Sequence, residues 1–374
     1  MKRTLSILLA LTLFVLPIHA APNVNAPCTV LMEKDSGTVL HETNSHERRA
    51  PASVTKVMTL LLIMEALSSG QITPDTVVTA SATAAGMGGS QVYLAEGEQM
   101  SVHDLLKSIT VSSANDACVA MAEHLCGSEE SFVEQMNTRA AQLGMTDTHF
   151  ANCTGLPADN HYSSAHDIAL MSRRLILDHP DIRDYSTIWM DSIRDGSFGL
   201  SNTNRLIRFY PGATGLKTGF TDSALYCLSA TAQRDGMELI AVVLGASTSE
   251  ARFETAKSLL DHGFANYALT DVYPDSPLPP IPVLLGRSDH VQPQLERSCR
   301  LLLPRGSTGS ITTELTLAQD VQAPVDVGQH LGSMRVLVDG ELRDTVPIVA
   351  SAAVDRLTFP SIFSHLLRRL FMAD

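Results

Sequence analysis

Basic residues are scarce in this sequence. Its 374 residues include 27 Lys and Arg but 40 Asp and Glu, and the formal net charge is −13 at pH 7. A protein that binds nucleic acid needs a basic surface to neutralise phosphates, and a chain this acidic does not favour one. We therefore expect no nucleic-acid partner.

Sequence patterns that bind metal ions are also missing. The cysteines show no C-x-x-C spacing and no H-E-x-x-H motif occurs, so the sequence predicts no metal site and no cofactor. Cys118 and Cys126 fall on one predicted helix about 12 Å apart by helical rise, too far for a disulfide between them. Other pairings stay open. The six cysteines are Cys28, Cys118, Cys126, Cys153, Cys227 and Cys299.

The sequence has no apolar run long enough to span a membrane comfortably. Lys2 and Arg3 precede an apolar stretch at residues 5–16, and small residues follow it up to Ala20. This pattern predicts a secretory signal peptide over residues 1–20, and hence an exported protein. An uncleaved membrane anchor is the alternative interpretation.

Three short polar motifs are present in a fixed order. Each one alone is common by chance, but their order and spacing make the combination informative. They are an S-x-x-K, an S-x-N and a K-T-G motif, formed by Ser53 with Lys56, by Ser113 with Asn115, and by Lys217, Thr218 and Gly219.

The first motif pairs a nucleophile with a base. A serine hydroxyl needs a base within hydrogen-bonding distance, and positions i and i+3 share one face of a helix, so Lys56 is expected beside Ser53. Residues 54–64 are almost wholly apolar, which predicts a buried helix. Burial and a second cation, Lys217, would both lower the pKa of Lys56. Taken alone, Ser53 is better explained as a helix N-cap, and the two motifs downstream reverse that preference.

The other two motifs have ordinary explanations as well. Ser113 and Asn115 lie in a polar loop between predicted helices at residues 102–109 and 116–125, where they could serve as helix caps. K-T-G precedes predicted strands at residues 225–233 and 237–244, so we expect it on or beside an antiparallel sheet. An edge strand there would place Thr218 beside an extended peptide, with Gly219 allowing close approach. The ordinary explanation is a turn with a solvated lysine.

With these motifs, residues 27–350 resemble the low-molecular-mass penicillin-binding proteins that act as serine-type D-alanyl-D-alanine carboxypeptidases. The resemblance extends over residues 112–122, 162–167 and 216–221. It implies an α+β fold: a penicillin-binding (serine transpeptidase/β-lactamase-like) domain with an antiparallel sheet flanked by helices, followed by a small all-β domain. The implied substrate is a peptidoglycan stem peptide ending in D-Ala-D-Ala, and β-lactams are the implied covalent inhibitors.

The resemblance also implies roles for the motif residues. Ser53 would be the acylated nucleophile and Lys56 its base. Ser113 would relay a proton to the leaving group, and the Asn115 amide would hold a substrate peptide bond. Lys217 would supply positive charge.

Substrate-binding roles follow in the same way. Thr218 and Arg252 would hold the terminal carboxylate, and Gly219 would lie beside the peptide. The backbone N–H groups of Ser53 and Phe220 would form the oxyanion hole. Some members of the family carry His where this chain has Phe220, which affects the expected substrate preference more than the oxyanion hole. Arg252 could instead be a solvated residue at a helix start.

Two other functions use the same motifs. A β-lactamase is disfavoured because class A enzymes usually carry S-D-N and lack an extra β domain and terminal helix. A non-catalytic peptidoglycan-binding or β-lactam-sensing protein is disfavoured because the motif residues are intact.

The rest of the chain suggests a domain order. We expect a catalytic domain at residues 27–272, a Pro-rich linker at 273–282, a small β-sandwich domain at 283–350 and an amphipathic helix at 356–374. That helix would lie on the membrane surface and hold the protein on the outer face of the cytoplasmic membrane. A helix packed on the protein's own surface is the alternative. Its apolar face would comprise Phe359, Ile362, Phe363, Leu366, Leu367, Leu370 and Phe371.

Overall fold

The computed structural model describes residues 21–307, 309–360 and 363. The chain forms two compact units, Met1–Asn266 and Tyr267–Asp374. The predicted signal peptide, at residues 1–20, lies outside the described residues.

The first unit is built on a five-stranded antiparallel sheet of order β2-β1-β9-β8-β7. Its central strand, β9, is buried at all ten positions, so both of its faces are covered. Helices α6 and α9 pack on it. Strands of this unit are β1 Cys28–Glu33, β2 Val39–Thr43, β3 Val77–Thr79, β4 Gln99–Ser101, β5 Met190–Ile193, β6 Phe198–Ser201, β7 Ala213–Thr221, β8 Leu225–Arg234 and β9 Met237–Ala246.

Helices fill the sequence between β2 and β7 and follow β9. The apolar helix α1 is buried along most of its length and contacts α3, α4, α5 and α6, which places it at the centre of the helical layer. The helices are α1 Lys56–Ser68, α2 Ala82–Ala85, α3 Val102–Val111, α4 Asn115–Cys126, α5 Glu129–Gln142, α6 Ala165–Asp178, α7 Arg183–Ser186, α8 Leu206–Phe209 and α9 Ser249–Asn266, with 3-10 turns at Ala52–Thr55 and Pro180–Ile182.

The helices on either side of the S-x-N motif are capped at the ends that point away from it. The Ser101 hydroxyl accepts a hydrogen bond from the Asp104 N–H and caps the start of α3. Gly127 ends α4 in the left-handed conformation, at φ 81°. Because both helices are fixed, the loop between α3 and α4 has little freedom.

The second unit is made of strands. Two groups of buried apolar residues form its core, one around Met334 and Val346 and the other around Val325 and Ala350. The strands are β10 Tyr267–Val272, β11 Ile281–Leu284, β12 His290–Val291, β13 Pro293–Leu295, β14 Cys299–Pro304, β15 Ile311–Leu317, β16 Val321–Gln322, β17 His330–Val338 and β18 Glu341–Ala350. The predicted fold class, α+β followed by an all-β domain, is confirmed.

Two hairpins of the structure turn through an Asp-Gly pair. Asp235 and Gly236 join β8 to β9 with φ of 49° and 78°, and Asp339 and Gly340 join β17 to β18 with φ of 53° and 82°. A two-residue turn with both φ positive matches the right-handed twist of the strands, which explains the Asp-Gly sequence at each.

The predicted localisation on the membrane through a C-terminal helix is wrong for the described chain. Arg356, inside the predicted helix, instead forms a β-bridge with Gly286, and the Leu357 N–H donates to the Leu285 carbonyl at 2.8 Å. These bonds hold residues 356 and 357 extended against the β unit, so the predicted helix does not begin at Arg356; among the described residues beyond them, only 359, 360 and 363 are helical. The last described strand, β18, belongs to that unit; residues 361–362 and 364–374 lie outside the described residues.

Membrane crossing by a helix finds no support in the described ranges. None of the helices there combines the length and apolar character needed to traverse a bilayer.

Candidate active site

Ser53 and Lys56 lie next to each other at the start of α1. Ser53 belongs to the 3-10 turn Ala52–Thr55, and α1 begins at Lys56, so the two are not on one α-helix as the sequence predicted. In a 3-10 turn the side chains at i and i+3 eclipse, which brings the pair closer than an α-helix would. The Lys56 Nζ atom is 3.0 Å from the Ser53 Oγ atom.

Lys56 has two further partners. Its Nζ atom lies 2.7 Å from the Asn115 Oδ1 atom and 2.6 Å from the Thr154 carbonyl oxygen, and the side chain is wholly buried. Burial lowers the pKa of Lys56 from its ordinary value. A neutral amine has two N–H bonds and one lone pair. If the two acceptors take the N–H bonds, the lone pair faces the Ser53 hydroxyl.

The second motif contributes a strained residue and a structural one. Ser113 has φ 63°, and its buried Oγ atom has no hydrogen-bond partner among the described residues. Asn115 donates from its backbone N–H to the Ser90 carbonyl and from Nδ2 to the Gly88 carbonyl, both at 2.7 Å. Its amide thus joins Lys56 to the loop before β4. The expected contact of this amide with substrate remains a prediction.

Asp116 holds the same loop from the other side. Its buried carboxylate accepts hydrogen bonds from the backbone N–H groups of Val92, at 3.1 Å, and Leu94, at 3.0 Å. The sequence suggested only a helix cap at this position, because nothing in the pattern links residue 116 to residues 92–94.

Strand β7 carries K-T-G along the edge of the main sheet, as predicted. Lys217 is wholly buried, and its Nζ donates to the Thr218 carbonyl at 3.0 Å. Burial, and then the nearby charge of Lys56, hold the pKa of Lys217 well below its ordinary value.

Gly219 faces the nucleophile turn. A Cβ atom added to it would lie 3.0 Å from the Pro51 oxygen, the Ala52 Cβ atom and the Ser53 nitrogen. The close approach that needs glycine is therefore between β7 and the turn that carries Ser53. The sequence pattern explained Gly219 by a different contact, the close approach of an extended substrate peptide.

Gly155 makes a tighter contact with the same turn. At φ +85° its added Cβ atom would lie 1.9 Å from the Ala52 carbonyl oxygen and 2.9 Å from the Ser53 nitrogen. No side chain other than hydrogen fits there. The sequence did not identify Gly155, since a single glycine in a polar loop carries no distinguishing signal.

Thr203 is a second residue that the sequence did not identify. Its hydroxyl oxygen is 2.6 Å from the Thr218 hydroxyl oxygen, and its backbone N–H donates to the Val111 carbonyl at 3.3 Å. Thr203 thus connects the K-T-G strand to the end of α3, just before Ser113. It lies in a short run of polar residues that resembles any surface loop.

Arg252 is buried, which rules out the alternative of a solvated arginine. Its Nη1 donates to the carbonyl oxygens of Gly219, at 3.1 Å, and Cys227, at 3.3 Å, and its buried Nε atom has no partner among the described residues. Burial lowers the pKa of Arg252 to about 10. The guanidinium therefore supports β7 directly.

Phe220 follows Gly219 on the exposed edge of β7. Its side chain is 48% exposed, and its ring lies 4.5 Å from the ring of Tyr226, centroid to centroid. An aromatic surface therefore borders the K-T-G motif.

His161 supports the nucleophile turn from behind. Its Nδ1 atom accepts the Ala151 N–H at 3.0 Å, so the hydrogen is on Nε2, which donates to the Thr55 hydroxyl at 2.8 Å. Burial lowers the pKa of His161 to about 4. The imidazole is therefore neutral at physiological pH, and it does not act as a cation near Lys56.

The cysteines near the site are buried, and burial disfavours their reactive thiolate form. Burial raises the pKa of Cys118 to about 12, and all six cysteines are free. Within residues 21–307, 309–360 and 363, no group of three or more His, Cys, Asp or Glu side chains is arranged to hold a metal ion.

A serine hydroxyl beside a buried amine, at the edge of an antiparallel sheet, is the arrangement of a serine hydrolase that works through acyl transfer. The chain belongs to the D-alanyl-D-alanine carboxypeptidase family, whose profile matches residues 17–248. Residues 271–356 match a second profile, the C-terminal domain of penicillin-binding protein 5.

Known proteins resemble the chain over most of its length. The D-alanyl-D-alanine carboxypeptidase DacF of Bacillus subtilis (strain 168) is 42% identical over 339 residues, which cover 89% of this chain and 87% of the relative. Penicillin-binding protein 5 of Haemophilus influenzae superposes with a TM-score of 0.74 at 31% identity, covering 90% of this chain and 99% of that one.

A ligand-bound structure also matches. Penicillin-binding protein D2 of Listeria monocytogenes, in its ampicillin-bound form, has a TM-score of 0.60 at 32% identity and covers 65% of this chain and 100% of that one. These similarities favour the predicted carboxypeptidase over the β-lactamase and the non-catalytic alternatives.

Proposed function

We propose that this chain removes the terminal D-alanine from peptidoglycan stem peptides through an acyl-enzyme on Ser53, and that β-lactams acylate the same serine. The observation that carries the proposal is the 3.0 Å separation between the Ser53 Oγ and Lys56 Nζ atoms, with the other bonds of the amine directed to Asn115 and Thr154. That arrangement places beside the hydroxyl an amine whose pKa is lowered by burial, which favours its action as a base.

Acylation begins when the Lys56 amine takes the Ser53 proton. The Oγ atom attacks the carbonyl carbon of the penultimate D-alanine, and the carbonyl oxygen becomes an oxyanion. The N–H groups of Ser53 and Phe220 are proposed to stabilise it. The C–N bond then breaks, and the leaving amine receives a proton through the unpartnered Ser113 hydroxyl.

Deacylation completes the cycle. Water attacks the ester carbon, Lys56 accepts a proton from the water, and the C–O bond to Ser53 breaks. The shortened peptide leaves and the serine regains its proton. A β-lactam enters the same path, but its leaving nitrogen stays tethered to the acyl group through the opened ring. It can therefore obstruct the incoming water.

Substrate binding is assigned to the K-T-G edge. Thr218 and Arg252 are proposed to hold the terminal carboxylate, with Lys217 adding positive charge when protonated. Gly219 and the β7 backbone would lie beside the peptide, and Asn115 near its amide. The proposal assigns this chemistry to residues 27–272 and gives residues 273–282 and 283–350 no part in bond breaking.

Serine 53 provides the direct test. Ser53→Ala should abolish covalent labelling by a fluorescent penicillin and release of D-alanine from a peptide ending in D-Ala-D-Ala, because the acyl group has no oxygen to bond to. Lys56→Ala should slow acylation by about 10² to 10⁴-fold. Ser69→Ala, at the other end of α1, serves as the control and should leave both activities unchanged.

Two results would contradict the proposal. Labelling of Ser53→Ala at the wild-type level would show that another residue is the nucleophile. A wild-type protein that hydrolyses β-lactam rapidly and releases no D-alanine would be a β-lactamase.

A further inference from the structure

The segment between β6 and α8 is fastened to the K-T-G strand. The Thr203 and Thr218 hydroxyl oxygens are 2.6 Å apart, and the Asn204 Nδ2 atom donates to the Gly215 carbonyl at 2.9 Å. Asn204 Oδ1 also accepts the Leu206 N–H at 3.2 Å. Residues on both sides of position 205 are therefore fixed relative to β7.

Arg205 is an exposed cation in this fixed segment. Its guanidinium has no hydrogen bond, ion pair or ring contact with any residue that the structure describes. Arg208, one helical turn later, differs: its guanidinium carbon lies 5.6 Å from the ring centroids of both Trp189 and Phe209. Arg208 thus packs on neighbouring aromatic rings, whereas Arg205 is available to a ligand.

Hydrogen bonds from the two preceding residues to β7 place Arg205 close to the K-T-G strand. After burial, the charge of Arg205 is among the causes that lower the pKa of Arg252. Arg252 in turn donates to the Gly219 carbonyl. The contact between Thr203 and Thr218 places residue 205 two positions from the edge where a substrate would bind, and the electrostatic influence on Arg252 agrees with that placement.

The other cations at this edge have less charge or fewer free donors to offer a carboxylate than an exposed, unpaired arginine. Burial and the charge of Lys56 hold the pKa of Lys217 well below its ordinary value, which disfavours its charged form. Arg252 is buried and uses Nη1 on two carbonyl oxygens and Nη2 on the Ser249 hydroxyl. Binding a free carboxylate calls for a cation that is charged, reachable and unoccupied.

We propose that Arg205 binds the free terminal carboxylate of the substrate, together with the Thr203 and Thr218 hydroxyls. The inference rests on the proposed function and adds a residue to it. Arg205 thereby adds an exposed charge to the contacts proposed above for Thr218 and Arg252, and it selects peptides that end in a free carboxylate over peptides whose end is blocked.

The test compares two peptides and three variants. A peptide ending in D-Ala-D-Ala and its C-terminal amide are assayed for kcat/KM, with the amide followed under single-turnover conditions. Arg205→Gln should lower kcat/KM for the free acid roughly tenfold more than for the amide, the lower end for a charge-assisted hydrogen bond. Arg205→Lys should restore part of the preference. The matched control, Arg208→Gln, should retain it.

Salt provides a readout that a purely structural role would not change. Raising ionic strength screens an exposed charge, so the preference for the free acid should fall with salt in the wild type and much less in Arg205→Gln. The thermal midpoints of Arg205→Gln and Arg205→Lys should match that of the wild type, since the Arg205 side chain makes no hydrogen bond, ion pair or ring contact with a described residue.

The possible outcomes distinguish a failure of this inference from a failure of the proposed function. Equal losses on both peptides, or the same selective loss in Arg208→Gln, would overturn the role of Arg205 while leaving the carboxypeptidase intact. A wild type that cleaves neither peptide would overturn the proposed function and the inference together.

Discussion

Lys56 occupies a position where burial and hydrogen bonding jointly decide its protonation. No carboxylate contacts its Nζ atom among the described residues, where its hydrogen-bond partners are the Ser53 hydroxyl, the Asn115 amide and the Thr154 carbonyl. Burial therefore dominates, and it lowers the pKa of Lys56. Since only the neutral amine accepts a proton, acylation should accelerate as pH rises through this lowered pKa.

Asn115→Asp should oppose the lowering of the Lys56 pKa. It places a carboxylate where the Oδ1 atom now lies, 2.7 Å from the Lys56 Nζ atom. An opposite charge at this distance favours the ammonium form and should raise the midpoint of the pH profile of penicillin acylation by about 1 to 3 pH units. The measurement is the acylation rate constant from pH 5 to 10.

Asn137→Asp is the matched control for this change. Asn137 also bonds backbone groups on both sides of its amide, through the N–H and carbonyl of Phe150. Its substitution should leave the acylation midpoint unchanged. An unshifted midpoint in Asn115→Asp would show that Lys56 is not the group that titrates.

At the scale of elements, two glycines set the position of the nucleophile turn. Gly219 on β7 and Gly155 in the loop before α6 both approach the backbone of Ala52 and Ser53. The turn is thus held between a strand and a loop. The position of the nucleophile turn therefore depends on the lack of a side chain at both glycines as much as on hydrogen bonds.

Gly155→Ala should destabilise the fold and impair acylation together. The added methyl group would overlap the Ala52 carbonyl, and the residue would also be strained at φ +85°, so we expect a loss of about 2 kcal/mol or more in unfolding free energy. Gly144→Ala isolates the strain, since Gly144 has φ +74° and nothing within 4 Å.

Urea unfolding and penicillin acylation rates check this pair. Gly144→Ala should lose about 1 kcal/mol and acylate normally. If the two variants lost equal stability and both acylated at the wild-type rate, the contact with the nucleophile turn would have no importance.

Local signals predicted elements better than they predicted contacts between elements. The apolar run at residues 54–64 located the central helix, and the predicted strands at residues 225–233 and 237–244 located β8, β9 and the position of K-T-G beside the sheet. The same signals could not distinguish the 3-10 turn at Ser53 from the start of an α-helix, because both have the same apolar spacing over four residues. Arg356 was misassigned because its pairing with Gly286 joins residues far apart in sequence.

The predicted site followed a similar division. The motif residues were identified from their chemistry, and the structure places Ser53, Lys56 and Asn115 in contact. Gly155, His161, Asp116 and Thr203 support them through contacts that span loops. Such contacts have no fixed spacing, so a single sequence does not reveal them.

For the whole molecule, the buried neutral imidazole of His161 ties folding stability to pH. In the folded protein its pKa is about 4, against an ordinary value of 6.5. Below pH 6.5, His161 binds a proton in the unfolded chain but remains neutral in the folded chain. The contribution of His161 to the free energy of unfolding is therefore fully present above pH 6.5. It is lost as pH falls toward 4, by about 3 kcal/mol in total.

His161→Gln should remove this dependence. Between pH 6.5 and 4, the free energy of unfolding should fall less in the variant than in the wild type by about 3 kcal/mol, because glutamine does not titrate. His124→Gln, an exposed histidine on α4, should keep the wild-type slope. Parallel curves for the wild type and His161→Gln in urea titrations would contradict the assignment.

The six cysteines have a practical consequence for anyone who wishes to watch this protein move. Burial is the first cause that raises the pKa of each thiol, and five of the six side chains are buried. Alkylating reagents attack thiolates that they can reach, and near neutral pH the native protein offers hardly any. A single cysteine introduced on the surface could therefore carry a fluorophore or spin label without removal of the native six.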